Sequence, residues 1–317
     1  MERSDTIVVG LGAMGSAAAC HIARRGKRVV GLEQFTPAHD RGSSHGRSRV
    51  TRQAYFENPA YVPLLARANE LWTQLQRDSG KRLIEITGGL MLGPPDGGVV
   101  KGTLASARAH GLPHEVLDAP EVRRRFPVFS VDDRKIGVLD KVAGVLFPED
   151  CIRAHAAAAT QAGAELRWQE PVVSWKSTGD SVEVKTTQGT YVAGTLVLCA
   201  GPWMGELLAD LNVPLAVERN VLYWFRPTTN ITLFAPERFP VFLIEYEPGK
   251  LFYGFPALGD DGVKVARHHT GTTGDIEHPL ARPEGGHGHQ VLRFRRPERW
   301  DPIVLIGFGG TPTELKS

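Results

Sequence analysis

Three stretches of this 317-residue chain carry groups suited to chemistry. The first is Gly10-Leu11-Gly12-Ala13-Met14-Gly15. Its glycine spacing suits a tight turn at Gly10, close approach of a pyrophosphate at Gly12 and close helix–strand packing at Gly15. A helix starting there, with Ala13 and Met14 in its first turn, offers unpaired N–H groups and a positive dipole end to phosphates. Glu33, followed by Gln34, stands further along where an acid can accept hydrogen bonds from a ribose, and its charge disfavours a 2′-phosphate. The second stretch is the polar loop 37–52, with His39, His45, Arg41, Arg47, Arg49 and Arg52. Its Gly42, Ser43, Ser44 and Gly46 suit a backbone lying close to a flat ligand, and the same composition suits a solvated basic loop or a nucleic-acid contact. The third is the alternating stretch 262–268, which follows a glycine turn and holds Lys264. By pattern alone Lys264 alternates with Val263 and Val265 and reads as an exposed strand lysine.

These groups need elements to hold them. Residues 6–9 are apolar and β-branched, which suits a strand buried on both faces. Alanine-rich helix formers follow the glycine motif, Gly26 closes them, and residues 28–32 form a second strand. A glycine-rich surface turn is the plainer reading of the motif; the flanking strands and Glu33 argue against it. Asn58-Pro59 opens a helix with Tyr61, Leu64, Leu65, Ala68, Leu71, Trp72 and Leu75 as its buried stripe and Gly80 as its stop. Residues 84–92 read as two short strands about a glycine turn, 97–110 as a helix, 121–126 as a short basic helix, and 147–162 as a helix. Strands follow at 172–176, 181–187 and 191–199. The last runs into Ala200-Gly201-Pro202-Trp203, placing glycine backbone at the carboxyl end of a sheet. Cys199 has no basic neighbour and reads as a small buried residue. From residue 213 the pattern turns antiparallel, with strands at 220–225, 241–246, 251–255 and 262–268.

A net charge of +2 provides no bulk field for nucleic acid. No apolar run is long enough to span a bilayer, and the start leads directly into a strand, so no signal peptide is expected. Cys20, Cys151 and Cys199 are widely spaced, which points to a reducing, cytoplasmic setting and no zinc site. His287 and His289, in a glycine-rich stretch, read as solvated and not as metal ligands.

In order, residues 10–15, 43–52, Thr87-Gly88-Gly89, Cys199-Ala200-Gly201-Pro202-Trp203, Tyr253-Gly254-Phe255-Pro256 and 264–268 resemble the monomeric sarcosine oxidase and N-methyltryptophan oxidase family. The resemblance implies an α/β fold in which an FAD-binding Rossmann-like domain is interleaved with an antiparallel-sheet substrate domain. It also implies a monomer that oxidises a secondary amino acid to an imine and reduces oxygen to hydrogen peroxide. The expected boundaries are 1–82 and 146–212 for the FAD domain, 83–145 and 213–275 for the substrate domain, and 276–317 for an atypical tail. The candidate cofactor contacts are Gly10, Gly12, Ala13, Met14, Gly15, Glu33, Gln34, Ser43, Ser44, His45, Arg49, Val172, Ala200, Gly201 and Trp203. The resemblance puts His45 and Arg49 near the flavin ring and Arg52 at the substrate carboxylate. It puts Tyr253 and His268 beside the substrate, and Lys264 under the flavin where oxygen reacts. For Arg52 the competing reading is a structural arginine paired within its own loop.

Beyond about residue 275 the resemblance fails. The family has a cysteine bonded to the flavin, and a Gly-His-Gly-Phe-Lys stretch whose lysine also binds the carboxylate. Here no cysteine follows Cys199, so the FAD is expected to be non-covalent. Residues 278–299 read as poorly structured and 303–310 as a returning strand and glycine turn. The tail is open to three readings: a frameshifted or truncated remnant, a diverged end of a working enzyme, or part of a non-catalytic protein. The rival functions are a nicotinamide-dependent dehydrogenase, which the glycine-bearing loop disfavours, a catalytically defective flavin-binding remnant, and a nucleic-acid binder.

Overall fold

A computed structural model describes residues 3–269 together with strand segments at Gly286–Phe294 and Gly307–Phe308. The chain divides into two compact units. The first comprises Met1–His45, Pro148–Val217 and Gln290–Ser317, and the second Gly46–Phe147 and Glu218–His289. The first crossing therefore falls at His45/Gly46 and not near residue 82. Residues 46–82 go with the second unit because the strand Arg49–Thr51 and the helix Val62–Ser79 take their partners there: Arg49–Thr51 pairs with Gly144–Leu146, and Gln76 accepts from the backbone of Leu83 and Ile84.

The first unit is built on a seven-stranded sheet. Arg3–Val9 lies at its centre, parallel to Val29–Glu33 on one side and to Thr190–Leu198 on the other. Glu165–Trp168 extends the parallel part, and Val172–Ser177 and Val182–Thr186 form an antiparallel meander onto Thr190–Leu198. The apolar run of the first strand is buried on both faces, as its composition requires. Ile7 and Val9 pack with Val30, Leu32, Val184 and Leu196 on one side. Val8 packs on the other side with Ala19, Cys20 and Ala23 of the helix Ala13–Ala23 and Ala159 of the helix Pro148–Gln161.

The second unit carries an eight-stranded sheet. Its order is Gly286–Phe294, Leu215–Phe225, Val263–His268, Lys250–Ala257, Val241–Glu247, Gly89–Gly93, Ile136–Asp140 and His114–Leu117. Val241–Glu247 and Gly89–Gly93 run parallel, while the pairs around them are antiparallel. A three-stranded antiparallel sheet joins Arg49–Thr51, Gly144–Leu146 and Ile84–Ile86. The stripe of Val62–Ser79 needs one correction: Leu64 is 63% exposed, and the fully buried positions are Val62 and Leu75. Position 64 lies in the first turn of the helix, one residue after Pro63.

The stretch expected to be poorly structured contains the strand Gly286–Phe294. A sheet edge templates backbone pairing with little demand on composition, and the Val291–Phe294 end is itself strand-forming. Gly307–Phe308 pairs antiparallel with Leu196–Val197 inside the expected returning strand. The rest of the tail, residues 270–285, 295–306 and 309–317, lies outside the described residues. Among the described residues, no helix is long and apolar enough to cross a membrane.

Candidate functional site

In the first unit the glycine motif forms a tightly fitted turn. Gly10 has φ +86°, donates to the Leu32 carbonyl at 2.8 Å, and sits where the strand Thr190–Leu198 ends. A Cβ on Gly10 would lie 2.4 Å from the Cys199 oxygen, and one on Gly15 would lie 1.7 Å from the Gly10 oxygen. No side chain fits either place. The helix Ala13–Ala23 starts from Gly12, which brings no capping side chain of its own, and Ser44 Oγ accepts the Ala13 N–H at 3.2 Å. Above Gly12 a Cβ would meet only that Ser44 oxygen, at 3.4 Å. Met14 is 77% exposed in the first helical turn.

Glu33 is buried and ties this turn to the second strand. Its Oε2 accepts from Leu11 N–H at 2.8 Å, its Oε1 accepts from Phe35 N–H at 3.1 Å, and His39 Nε2 lies 3.6 Å from Oε1. A carboxylate has about four acceptor positions, so capacity remains for ribose hydroxyls. Burial holds the His39 imidazole below its usual pKa, against the pull of Glu33. Gln34 and Val172 are brought to one region by the backbone: Glu170 N–H donates to the Glu33 carbonyl and Gln169 N–H to that of Phe35.

Sequence reasoning missed Glu170. It is 2% exposed and accepts from Thr186 Oγ1 at 2.6 Å and Tyr191 Oη at 2.8 Å, anchoring the entry to the strand that begins at Val172. Trp203 follows Ala200 and Gly201, its ring 5.3 Å from Phe35 and against Gly42 of the loop that also carries Ser43 and His45. Burial pushes the Cys199 thiol up to about 11, which makes it a poor nucleophile at neutral pH. The turn, the serine-capped helix start and the buried acid fit the adenosine diphosphate portion of FAD. Among the described residues no cluster of three or more His, Cys, Asp or Glu side chains could hold a metal ion.

In the second unit the remaining candidates gather on one face of the large sheet. Trp224 pairs with Lys264 and Leu222 with Ala266, while Lys264 pairs with Phe255, Ala266 with Tyr253 and His268 with Leu251. Paired residues share a face, and alternate residues return to it. Lys264, Tyr253 and His268 therefore project to the same side.

Lys264 is 2% exposed and not a surface lysine. Its Nζ donates to Gly46 O at 2.9 Å and to Ser48 O and Ser48 Oγ at 3.1 Å each, beneath the rings of Phe255 and Trp224. Gly46, at φ +90°, has its missing Cβ directed to within 3.6 Å of that ammonium. The Tyr253 and His268 rings meet edge to face at 6.0 Å. Burial raises the Tyr253 hydroxyl above the usual phenol range, with the Arg49 charge opposing.

The loop arginines are all engaged within their own units. Arg41 lies over Phe35, Arg47 pairs with Asp261 at 2.6 Å, and Arg49 donates to Ser48 O at 2.6 Å. Arg52 pairs with Glu57 at 2.6 Å and stacks on Tyr55 and Phe56. Loop pairing is thus part of its structure, but its Nη1 is buried with no hydrogen-bond partner among the described residues. Phe56, on which Arg52 stacks, packs against the same core cluster as Tyr253.

Asp140, also missed, is 1% exposed and accepts from the N–H groups of Gln53, Ala54 and Val142 at 3.0–3.1 Å. It fixes the chain just past Arg52. Its only local signal is an acid before the turn at 141–143. The nucleotide candidates fall in the first unit, and the substrate and oxygen candidates, with Arg49, in the second.

A family model described as FAD dependent oxidoreductase matches residues 5–294. Monomeric sarcosine oxidase of Streptomyces avermitilis is 49% identical over 264 residues, covering 83% of this chain and 69% of that protein. N-methyl-L-tryptophan oxidase of Yersinia pestis is 36% identical over 296 residues, covering 92% and 78%. Among solved structures, the open form of NikD, an unusual amino acid oxidase essential for nikkomycin biosynthesis, aligns with a TM-score of 0.73 at 29% identity, covering 89% of this chain and 73% of that one. Glycine oxidase from Geobacillus kaustophilus, at 18% identity and a TM-score of 0.74 over 94% of this chain and 87% of that one, shares the fold.

Proposed function

Because the chain belongs to the FAD dependent oxidoreductase family, we propose that it oxidises a secondary, N-methyl amino acid to an imine while oxygen is reduced to hydrogen peroxide. The observation that carries this reading is Arg52, a half-buried arginine whose Nη2 pairs with Glu57 and whose buried Nη1 has no partner among the described residues. A buried donor without a partner is costly unless a ligand completes it, and a carboxylate does so with a charge-assisted bond. FAD, when bound, would supply the two-electron acceptor for the hydride equivalent on the carbon next to nitrogen, with oxygen as the final oxidant. Gly10, Gly12, Gly15, Ser44 and Glu33 would hold its adenosine diphosphate part.

The chain's own groups do the rest. Arg52 fixes the carboxylate and so limits the orientations of the reacting C–H bond. Tyr55 and Phe56 stack on its guanidinium and shield it from water. Arg49, Arg52 and Lys264 make the surroundings positive, which disfavours an ammonium and favours the neutral amine that can be oxidised. Tyr253 stays a neutral phenol and a hydrogen-bond donor. Lys264 presents an ammonium already held by three acceptors, so it stabilises charge developing on oxygen without reorganising.

The same reading has the flavin bound without a covalent link, since no cysteine occurs after Cys199, in a monomer of the cytoplasm whose three cysteines form no disulfide. The test is to purify the protein, bleach its flavin anaerobically with N-methylglycine or N-methyltryptophan, and readmit oxygen. Bleaching followed by stoichiometric peroxide is expected, and acid precipitation should leave the flavin in the supernatant. Absence of flavin, or bleaching by reduced nicotinamide alone, overturns the proposal. Flavin carried into the pellet overturns the non-covalent link.

A further inference from the structure

Beyond Arg52, the second unit leaves another polar atom unsatisfied close to the candidate substrate side chains in the sheet: Asn220 Oδ1 is buried and has no hydrogen-bond partner among the described residues. Asn69, Glu85 and Thr103 carry comparable atoms, but they stand on helices or on the three-stranded sheet. Asn220 stands in Leu215–Phe225, on the large sheet. Two residues beyond the Leu222–Ala266 pair, the two strands bring Asn220 and His268 onto the same face. Burial agrees with this alternation: Asn220 is 6% and Leu222 1% exposed, whereas Tyr223 is 41% and Phe225 57% exposed. Asn220 therefore shares its face with His268, Tyr253 and Lys264.

A purely structural position there would favour an apolar side chain, because a buried amide oxygen without a donor costs stability and returns nothing. The chemistry of the unsatisfied pair is complementary to one ligand class. Arg52 Nη1 is a cationic donor that wants a carboxylate, and Asn220 Oδ1 is a neutral acceptor that wants an N–H.

We infer that Asn220 is a substrate-binding residue whose side-chain carbonyl accepts the N–H of the secondary amine. The inference rests on the amine-oxidation reading above and adds the group that recognises the nitrogen. A secondary amine carries one N–H. Holding it at Asn220 while Arg52 holds the carboxylate attaches the substrate at two points and fixes rotation about the bond between nitrogen and the α-carbon. It also discriminates against a ligand with no donor at that position, which would leave the amide unpaired.

The test uses the FAD-bound protein and two unreactive carboxylates of nearly equal shape: pyrrole-2-carboxylate, which has an N–H, and furan-2-carboxylate, which has a ring oxygen there. Each is titrated against the flavin absorbance spectrum. The wild-type protein should bind the pyrrole acid about tenfold more tightly, the worth of one neutral hydrogen bond. In Asn220→Ala the pyrrole acid should weaken about tenfold and the furan acid should not change. Asn220→Asp, which keeps an acceptor oxygen, should retain the preference. Asn220→Leu, of similar volume, replaces the alanine variant should the latter fail to hold FAD. An unchanged preference in the alanine and leucine variants overturns the inference, as does equal weakening of both acids, which marks a structural role. If the wild-type protein binds neither acid, the amine-oxidase reading itself fails.

Discussion

Replacing Lys264 by methionine separates the two halves of the proposed reaction. Methionine keeps a long apolar stem between Phe255 and Trp224, which lie 4.8 and 5.4 Å from Nζ, and removes only the ammonium. With its three N–H groups given to Gly46 and Ser48, Lys264 acts on oxygen through its charge, and removing one preorganised electrostatic group typically costs a factor of about 100 to 1,000 in rate, roughly 2.7–4 kcal/mol. That loss should fall on the reaction of the reduced protein with oxygen, where negative charge develops. Reduction by the amine develops no such charge near Lys264 and should slow less than about tenfold, a difference of about 1.4 kcal/mol. Stability should fall as well. The carbonyls of Gly46 and Ser48 lose their donor, and a buried acceptor left unpaired costs about 1–3 kcal/mol. Stopped-flow absorbance, mixing the oxidised protein with amine anaerobically and the reduced protein with oxygen, measures the two halves separately, and thermal denaturation measures the third effect. Reoxidation at the wild-type rate in a variant that retains flavin would refute the argument. So would equal slowing of both halves, because a distorted site would produce it without any electrostatic role.

Four further outcomes follow from the geometry. Arg52→Ala should weaken a small carboxylate ligand by roughly one to two decades while leaving FAD bound, the worth of a charge-assisted hydrogen bond. Glu57→Gln should tighten the same ligand by up to about fivefold by releasing the guanidinium from its partly exposed partner. Spectral titration checks both, and weaker binding in Glu57→Gln would show that Glu57 positions Arg52 and does not compete for it. Gly15→Ala places a methyl 1.7 Å from the Gly10 oxygen. It should lower the melting temperature and yield protein depleted in FAD; a normal flavin content would show that the turn has room to spare. Burial, aided by His21 and Arg24, holds His155 down to about 4, below its ordinary 6.5. The unfolded chain therefore takes up a proton that the folded chain refuses, and stability falls as pH drops from about 6.5 to about 4, by at most about 3 kcal/mol. Denaturant titrations across that window should show the slope in the wild type and a flatter one in His155→Gln.

What the sequence determined by itself was local. The strand, glycine turn, helix and second strand from Arg3 to Glu33 were legible because periodicity, glycine placement and a terminal acid are all short-range signals. The turn from the strand Thr190–Leu198 into Gly201 and the antiparallel strands after it were legible for the same reason. The fold class and the FAD dependent oxidoreductase family followed from several such signals in order.

Tertiary structure decided where polar side chains end up, because that depends on partners distant in sequence. Lys264 alternates with valines like any exposed strand lysine, and only the return of Gly46 and Ser48, more than two hundred residues earlier, buries and satisfies it. Glu57 and the stacked rings of Tyr55 and Phe56 are near Arg52 in sequence, yet the burial that leaves Nη1 without a partner is a property of the packed unit. Asp140 and Glu170 read as ordinary acids until their backbone and hydroxyl donors arrive from other segments. Asn220 stands in a strand like many others, and sheet register alone puts it on the face of His268. The boundary at His45/Gly46 was hidden for the same reason, since a loop that serves both units has no composition of its own to mark where contacts change sides.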